Sequence, residues 1–414
     1  MDIKERIRRL QNEKRKPESK VNDVNHELTL EKLRILLREK QENKKSVKNV
    51  DEFAHHINAK VIENDFGKFI LKEGEKQDSP TINELEKIHI LAKEDIFKNF
   101  NLTNNLFVDI ETSGLSGGVG TFAFLIGLGY LENGIFKIKQ FFLPDLPFEK
   151  AMLVEIASFM RNFQSITTFN GKSFDLPVLV SRYRLQMLKE PLFNLHLDLL
   201  HIARRVYKRT FEDRSLQSLE QHILGQRRMD DIAGNMIPDV YFHFLKTGEV
   251  SLLAKVIKHN EIDVISMLKL LAHFTELLKE IDTLKNPEVL FSISKLYLEL
   301  NDFNTSIFLM KRALKYTENI PLIFEIKKDL SKIYKKLNMW KEAKTLWEEL
   351  LAETPFEPFP YIELAKYYEH KTKEYSKAKG VIENLKKKLG GGWEYCTFDD
   401  IVKRDIRIRN KIKK

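Results

Sequence analysis

Two carboxylates that follow an apolar run are the first residues in this sequence suited to chemistry. Asp109 and Glu111 come at the end of residues 106–111, just before a glycine-rich loop at 114–120. Read as a buried strand, the run has a period of two, so both side chains leave the same face. Two like charges this close repel each other unless a cation lies between them, and carboxylate oxygens suit Mg²⁺ or Mn²⁺. The alternative is a strand end that is merely acidic.

A second acid, Asp175, lies where a strand gives way to a turn and then a helix. It belongs to the run Thr-Phe-Asn-Gly-Lys-Ser-Phe-Asp-Leu-Pro at residues 168–177. An acid just before Pro177 is also typical of a helix N-cap, so a structural role stays open. Gly171-Lys172-Ser173 suggests a phosphate loop, but the glycine required five residues earlier is replaced by Ile166.

A histidine and an acid are spaced to share one face of a later helix. His259 and Asp263 are four positions apart within Lys-His-Asn-Glu-Ile-Asp-Val, residues 258–264. Alone, such a pair is more often a surface hydrogen bond than a functional site.

Taken in order, these three motifs resemble the DEDD superfamily of 3′–5′ exonucleases. Within it, the closest resemblance is to the YprB-like ribonuclease-H-like proteins, and it covers about residues 101–275. It rests on Asp-Ile-Glu-Thr-Ser-Gly-Leu, on Phe-Asn-Gly-Lys-Ser-Phe-Asp-Leu-Pro and on His-Asn-Glu-Ile-Asp-Val. The first two motifs are specific, whereas the third is short and supports the resemblance only because it follows the other two in the expected order.

The resemblance implies roles for individual residues. Asp109, Glu111, Asp175 and Asp263 would hold two divalent ions, Mg²⁺ or Mn²⁺, about 4 Å apart, and the ions would clamp a scissile phosphate. His259 would take the proton from the attacking water. Asn170 would order the turn before Asp175 or touch the nucleotide. Asp198, at the end of the last predicted strand, is either an acid that supports the ligands from behind or an ordinary strand-end residue, and we favour the latter.

The last motif departs from the family pattern. The branch that uses a histidine base usually has four residues between the base and the aspartate, whereas His259 and Asp263 have three between them. Three is the spacing of the branch that uses tyrosine. The departure leaves the level of activity open more than the fold, because all four acids are present.

The elements that must position these residues alternate between strand and helix periodicity. We predict strands near residues 106–110, 122–130, 136–142, 166–169 and 195–200, with a hairpin at Glu132-Asn133-Gly134. Helices are predicted near 148–163 and from Pro177. This α/β order, a mixed five-stranded sheet flanked by helices, is that of the ribonuclease-H-like fold.

Four regions are predicted along the chain. Residues 1–100 form a basic helical and small-strand accessory region, and residues 101–280 form the ribonuclease-H-like exonuclease domain. Residues 284–388 repeat, with a small residue at Ser306, Ala343 and Ala378, close to the period of about 34 typical of tetratricopeptide repeats. A basic tail, residues 389–414, follows.

Composition limits the classes of function. The 414 residues contain no apolar run of about 18 residues, so no membrane span is expected. There is one cysteine, Cys396, so no disulfide framework is expected either. We predict a cytoplasmic protein. The net charge of +9 is concentrated at the ends, since residues 1–50 carry 15 Lys and Arg against 9 Asp and Glu. Such ends suit a polyanion, although they could equally be solvated surface.

The leading hypothesis is a metal-dependent 3′–5′ exonuclease acting on DNA or RNA, at a single-stranded 3′ end, with a repeat array that binds a protein partner. The alternative is a weakly active or inactive nucleic-acid-binding and interaction scaffold. Retention of all four acids favours the enzyme, because a binding protein gains nothing from clustered negative charge facing phosphate. A zinc-dependent phosphodiesterase lacks the histidine-rich ligand set it would need.

Overall fold

The computed structural model describes residues 50–76, 80, 82, 85–114, 120–353, 355–389 and 397–412. Its contacts separate two compact units. The first contains the described residues up to Arg204 together with Asp213–Lys279, and the second contains Arg205–Glu212 together with the described residues from Glu280 on. The predictions for residues 1–49, for residues 115–119 of the loop and for the glycines at 390–392 lie outside the described residues.

The first unit is built on one sheet, which has seven strands among the described residues. Its spatial order is β1-β2-β5-β4-β3-β6-β7. The strands are β1 Lys60–Asn64, β2 Gly67–Lys76, β3 Asn105–Thr112, β4 Ala123–Glu132, β5 Ile135–Phe142, β6 Ser165–Thr168 and β7 Leu195–Asp198. The predicted hairpin is confirmed, because Glu132 pairs with Ile135 across the turn between β4 and β5.

The predicted count of five strands is wrong for this sheet. The two strands that we assigned to an accessory segment, β1 and β2, extend the same sheet, with β2 antiparallel to β5 from Ile70 to Lys76. The physical reason is that β5 would otherwise be an edge strand with unpaired backbone groups, which β2 satisfies. Phe69 on β2 then stacks on Phe141, with ring centroids 5.9 Å apart.

Three strands run parallel and bring their carboxyl ends to one edge of the sheet. β6 is parallel to β3 and β7 is parallel to β6. Crossover helices make each connection possible, since parallel neighbours cannot be joined by a tight turn. Whatever follows β3, β6 and β7 therefore meets at the same edge, which is where α/β sheets usually bind ligands.

Helices surround this sheet. Up to residue 279 they are α1 Val50–His56, α2 Ile88–Ala92, α3 Glu149–Met160, α4 Asp175–Leu185, α5 Leu199–Val206, α6 Leu216–His222, α7 Ile237–Thr247 and α8 Ser251–Lys279. Short 3₁₀ turns cover Leu85–Lys87, Asp95–Asn99, Leu102–Asn104, Leu146–Phe148 and Gly234–Met236. α7 is fixed to the sheet through Tyr241, whose ring stacks on Phe124 with a centroid separation of 4.0 Å and whose hydroxyl donates to the Leu143 carbonyl.

The second unit is a succession of helices that pack on their neighbours in sequence. They are α9 Pro287–Glu299, α10 Phe303–Lys315, α11 Ile320–Lys336, α12 Trp340–Glu353, α13 Pro358–His370, α14 Tyr375–Leu389 and α15 Thr397–Ile412. The repeating small residues Ser306, Ala343 and Ala378 are all fully buried. Small side chains there let consecutive helices approach closely; the Ser306 hydroxyl, for example, donates to the Ser294 carbonyl across the α9–α10 pair at 2.9 Å.

The last helix, α15, closes this unit. Its apolar residues Ile401 and Ile408 are buried with residues of α13 and α14. Its basic residues gather on Glu369 of α13, a carboxylate that is only 1% exposed. Arg404 and Arg407 donate to it at 2.6 and 2.5 Å. Part of the predicted basic tail is thus a packed helix whose charges are partnered.

No helix in the described part of the chain combines the length and the apolar character needed to cross a membrane.

Candidate metal-binding site

Asp109 and Glu111 lie on β3 as the strand pattern predicts. Along Asn105–Thr112 the residues on either side of Glu111, Ile110 and Thr112, are buried, whereas Asp109 and Glu111 themselves are partly exposed. The two carboxylates therefore leave one face of the sheet together. The pairing of β3 with β4 shifts register between Glu111 and Thr112, just where the strand leaves the sheet.

A buried pair of amides fixes the carboxylate of Asp109. Asn260 on α8, which is fully buried, donates from Nδ2 to Asp109 Oδ2 at 2.7 Å. Its Oδ1 accepts from Gln140 Nε2 at 2.8 Å, and the same Gln140 nitrogen donates to the Ile257 carbonyl at 2.7 Å. Because Gln140 can only donate through this nitrogen, the orientation of the Asn260 amide is determined.

Gly127 makes room for this arrangement. It lies opposite both Asp109 and Gln140 in the sheet. A Cβ atom at this position would lie 2.2 Å from Asn260 Oδ1, so any side chain would displace the amide.

Asp175 reaches the same edge from the turn after β6. It is the first residue of α4 and not the N-cap, which is Phe174, and it is 6% exposed. Asn170 begins the turn in the left-handed region, with φ +69°. Gly171 follows, where a Cβ atom would lie 2.5 Å from the Thr168 side chain.

Asp198 holds this turn in place. Its carboxylate at the end of β7 accepts hydrogen bonds from the backbone N–H groups of Asn170 at 2.9 Å, Lys172 at 3.1 Å and Leu200 at 3.1 Å. Asp198 therefore organises the loop that leads to Asp175, which agrees with the supporting role and not with the ordinary strand-end residue that we favoured. Asn170 contributes to the same turn through its backbone.

Asp263 and His259 project from α8 and meet a second group of charges. Arg228 donates to Asp263 Oδ1, and also to Glu220 at 2.5 Å and to Asp231 at 3.1 Å. His259 Nδ1 lies 2.8 Å from Asp231 Oδ1. Asp231 and Arg228 come from an irregular stretch between α6 and α7, where the sequence gives no periodic signal.

The carboxylates of the site resist ionisation. Burial, followed by the charges of Asp263 and Asp175, raises the pKa of Asp109 well above its usual value. Burial and the charge of Asp109 do the same to the pKa of Glu111. Burial and the charge of Asp198 raise the pKa of Asp175 to about 7. Burial also raises the pKa of Asp263, despite the opposing charges of His259 and Arg228.

At His259 the surroundings favour the charged form, whereas at the carboxylates they disfavour it. Burial lowers its pKa, but the hydrogen bond with Asp231 and the negative charges of Asp263 and Asp231 outweigh burial, so the pKa is raised. The pKa of Asp231 is lowered, because the bonds from His259 and Arg228 outweigh the effect of its own burial. Both shifts favour the charged forms of Asp231 and His259 over their neutral forms.

The donor set at this edge fits a divalent ion. One donor atom each from Glu111, His259 and Asp263 lie within 4.8 Å of one another. The negative charges of Asp109 and Asp175 also act on this group, as the pKa of Glu111 records. A divalent cation between them would relieve the repulsion of these carboxylates together.

The structure therefore brings together the predicted residues Asp109, Glu111, Asp175, Asp263 and His259, and places Asn170 in the supporting turn. The sequence analysis missed Asp231, Arg228, Asn260, Gln140 and Gly127. Asn260 stood inside the quoted His-Asn-Glu-Ile-Asp motif and could have been found there. Arg228 and Asp231 could not, since nothing local marks them.

Comparison with known proteins agrees with this architecture. Residues 106–275 match the family model of the RNase H superfamily, which includes the sheet edge just described. This segment is an RNase H superfamily domain. Over 297 residues it is 36% identical to Uncharacterized protein YprB of Bacillus subtilis (strain 168), an alignment that covers 69% of this chain and 70% of that protein. The chain is thus a member of the YprB-like family, as its motifs suggested.

Proposed function

We propose that this protein is a divalent-metal-dependent nuclease that hydrolyses phosphodiester bonds of DNA or RNA as a 3′–5′ exonuclease. The observation that carries the proposal is the set of four carboxylates at one sheet edge, whose pKa values are all raised. A protein gains nothing in stability from such a cluster by itself. Perturbed acids of this kind gather where a ligand completes the site.

In this proposal, Asp109, Glu111, Asp175 and Asp263 hold two divalent ions, Mg²⁺ or Mn²⁺. When bound, such ions supply the positive charge that draws in a phosphate and lower the pKa of an attacking water. The chain fixes its own ligands: Asn260 orients Asp109, the turn held by Asp198 carries Asp175, and Arg228 holds one oxygen of Asp263. His259 could accept a proton at the site, as the resemblance implies, or bind an ion directly.

The proposed substrate is a single-stranded 3′ end, and the proposed location is the cytoplasm. Direction and strandedness rest on the resemblance to DEDD exonucleases.

The test uses DNA and RNA strands labelled at the 5′ end and incubated with the protein in Mn²⁺, Mg²⁺ or EDTA. A ladder that shortens from the 3′ end with either metal, and is absent with EDTA, is the expected result. Products that appear first from internal positions would contradict the exonuclease assignment, and cleavage that survives EDTA would contradict the metal dependence.

We also propose that the helical unit is a tetratricopeptide-like array that binds a protein partner. The support is the repeated small residue at Ser306, Ala343 and Ala378, buried at each step of the array. A chain ending at residue 283 should cleave a short strand as fast as the whole chain, yet fail to retain a partner that the whole chain retains. Failure of the shortened chain to fold would show that the array is needed for the nuclease unit.

A further inference from the structure

The two ring nitrogens of His259 face different groups. Nδ1 lies 2.8 and 3.0 Å from the two oxygens of Asp231, and Arg228 Nη1, which can only donate, makes a longer contact with it at 3.3 Å. Nε2 lies 3.6 Å from Asp263 Oδ2. A carboxylate accepts hydrogen bonds and does not donate them, so the contact with Asp231 keeps a proton on Nδ1. The lone pair of the neutral imidazole is then on Nε2, which faces the carboxylates of the site.

This is the arrangement found around histidines that bind metals. A ligating histidine almost always donates its second ring N–H to a carboxylate or a carbonyl, which fixes the tautomer and the direction of the ring. Here Asp231 is that carboxylate. One ring nitrogen of His259 lies within 4.8 Å of one carboxylate oxygen each of Glu111 and Asp263. Nε2 is the nitrogen that lies 3.6 Å from Asp263 Oδ2.

The spacing of His259 and Asp263 along α8 also supports a role for His259 as a metal ligand. Residues four apart on a helix lie on one face about one turn apart, which is how a helix presents two ligands to one ion. The departure of His259 and Asp263 from the spacing of the histidine branch therefore places the imidazole beside the aspartate. In that position the imidazole and the Asp263 carboxylate can bind the same ion.

We propose that His259 binds a divalent ion directly through Nε2, together with Glu111 and Asp263, that Asp231 is its positioning residue, and that the site consequently selects Mn²⁺ over Mg²⁺. This inference rests on the proposed metal site and assigns His259 as a ligand in preference to a proton acceptor.

The selectivity follows from ligand chemistry. Mg²⁺ is a hard ion that takes oxygen ligands and retains much of its water, whereas imidazole nitrogen suits the later divalent metals better. The negative charge of the site, which would favour the harder Mg²⁺, is reduced here. Arg228 already neutralises part of the negative charge of Asp263 by binding its Oδ1, which leaves Oδ2 to face the imidazole.

The rival arrangement is an ion pair without a metal. A protonated His259 would lie between Asp231 and Asp263 and serve as their counter-charge. In that case, a metal bound nearby would have oxygen ligands only, and no nitrogen would couple to it.

The test is pulsed electron paramagnetic resonance of Mn²⁺ bound to the full chain. We expect ¹⁴N modulation from a directly bound imidazole in the wild-type protein. Growth with ¹⁵N-histidine should convert it to the ¹⁵N pattern, which identifies the nitrogen as a histidine's without any substitution. The modulation should vanish in His259→Ala and persist in His243→Ala, a matched control whose imidazole also pairs with a carboxylate, Glu249, at 3.0 Å.

Affinity gives a second readout. Asp231→Asn should weaken Mn²⁺ binding about 10- to 100-fold, the usual effect of losing the partner of a ligating histidine. Competition should show that wild-type protein prefers Mn²⁺ to Mg²⁺ and that His259→Ala loses most of this preference. Equal preference in the two proteins would overturn the inference.

The inference and the proposed function fail in different ways. Bound Mn²⁺ without nitrogen modulation, in a protein that still cleaves nucleic acid, overturns the role of His259 and leaves the nuclease intact. Nitrogen modulation in a protein that cleaves neither DNA nor RNA supports the ligand and contradicts the nuclease. Absence of Mn²⁺ binding at millimolar concentration overturns the ligand assignment outright.

Discussion

Two groups of poorly exposed acids in this protein have their pKa values shifted in opposite directions. In the helical unit, burial alone would raise the pKa of Glu369, but hydrogen bonds from Arg407 and Lys411 and nearby positive charges lower it to about 2. In the first unit, the pKa of Asp175 is raised to about 7, and those of Asp109 and Glu111 are raised well above their usual values. Both groups are acidic and poorly exposed, so burial does not distinguish them.

The difference lies in where the compensating charge comes from. Glu369 receives its cations from α15 of the same chain, so it is a finished structural ion cluster. The carboxylates at the sheet edge have Arg228 and His259 as their cationic neighbours, and both are shared with Asp231. A site whose carboxylates outnumber its cationic neighbours in the folded chain is suited to bind a cation from solution.

The largest expected effect is on cleavage. Asp109→Asn removes a charge from the site without changing its size, and metal ions contribute several kcal/mol to such a reaction, so the rate should fall on the order of 10³-fold. Glu369→Gln should change the rate per folded molecule by less than about twofold.

End-labelled strands in Mn²⁺ measure both rates. Asp95→Asn is the matched control, an exposed acid paired with Lys98 at 2.9 Å. A rate for Asp109→Asn close to that of the wild type would contradict a role for the carboxylates at the sheet edge in cleavage.

The next effect is on stability and concerns the other acid. Glu369→Gln leaves Arg404, Arg407 and Lys411 without their shared partner, so the helical unit should lose about 3 kcal/mol in free energy of unfolding. Glu383→Gln breaks an exposed pair with Lys379 and should cost less than about 1 kcal/mol. Denaturant titration followed by circular dichroism compares the two. Equal losses would mean that Glu369 is no more structural than a surface acid.

A smaller effect is expected at the amide pair behind Asp109. Asn260→Ala releases the carboxylate, and Gly127→Ala displaces Asn260, so each should weaken Mn²⁺ binding about 10- to 100-fold. Gly74→Ala is the control, since a Cβ atom there would meet nothing within 4 Å. Calorimetric titration with Mn²⁺ gives the affinities. Unchanged affinity in both variants would show that Asp109 needs no orienting partner.

The smallest effect is the dependence of stability on pH in EDTA. Folding raises the pKa of Asp175 from 3.8 to about 7, so the folded chain binds more protons than the unfolded chain between those values. Its contribution to stability is therefore complete below about pH 4 and is lost as the pH rises through about 7. The unfolding midpoint of the first unit should fall by a few degrees over this range.

Excess Mn²⁺ should remove this fall, and Asp175→Asn should reduce it. Glu369 provides the internal contrast, because folding lowers its pKa from 4.5 to about 2 and its contribution is lost only as the pH falls through that range. Thermal unfolding at a series of pH values is the measurement. A midpoint that rises with pH in EDTA would contradict the charge deficit at the site.

The sequence was sufficient for features that depend on local pattern. The alternation of residues around Asp109 and Glu111 predicted their common face, and the turn chemistry at Asn133-Gly134 predicted the hairpin between β4 and β5. Both signals are contained within a few residues, so no knowledge of the tertiary structure was needed.

The rest depended on contacts between distant parts of the chain. Asn260 meets Asp109 across 151 positions and Gln140 across 120. The addition of β1 and β2 to the sheet depends on the unpaired edge of β5, which exists only once the sheet has formed. Asp198 looked like any acid at a strand end, because its backbone partners at 170 and 172 come from a different turn.

The need for a glycine at position 127 affects how active relatives can be recognised from their sequences. A relative that keeps all four acids but carries alanine at this place would pass any survey based on the acidic motifs. By the contacts described above, its first aspartate would lose the amide that orients it. Searches for working members of such families should therefore score the residue facing the first aspartate across the neighbouring strand as well as the acids themselves.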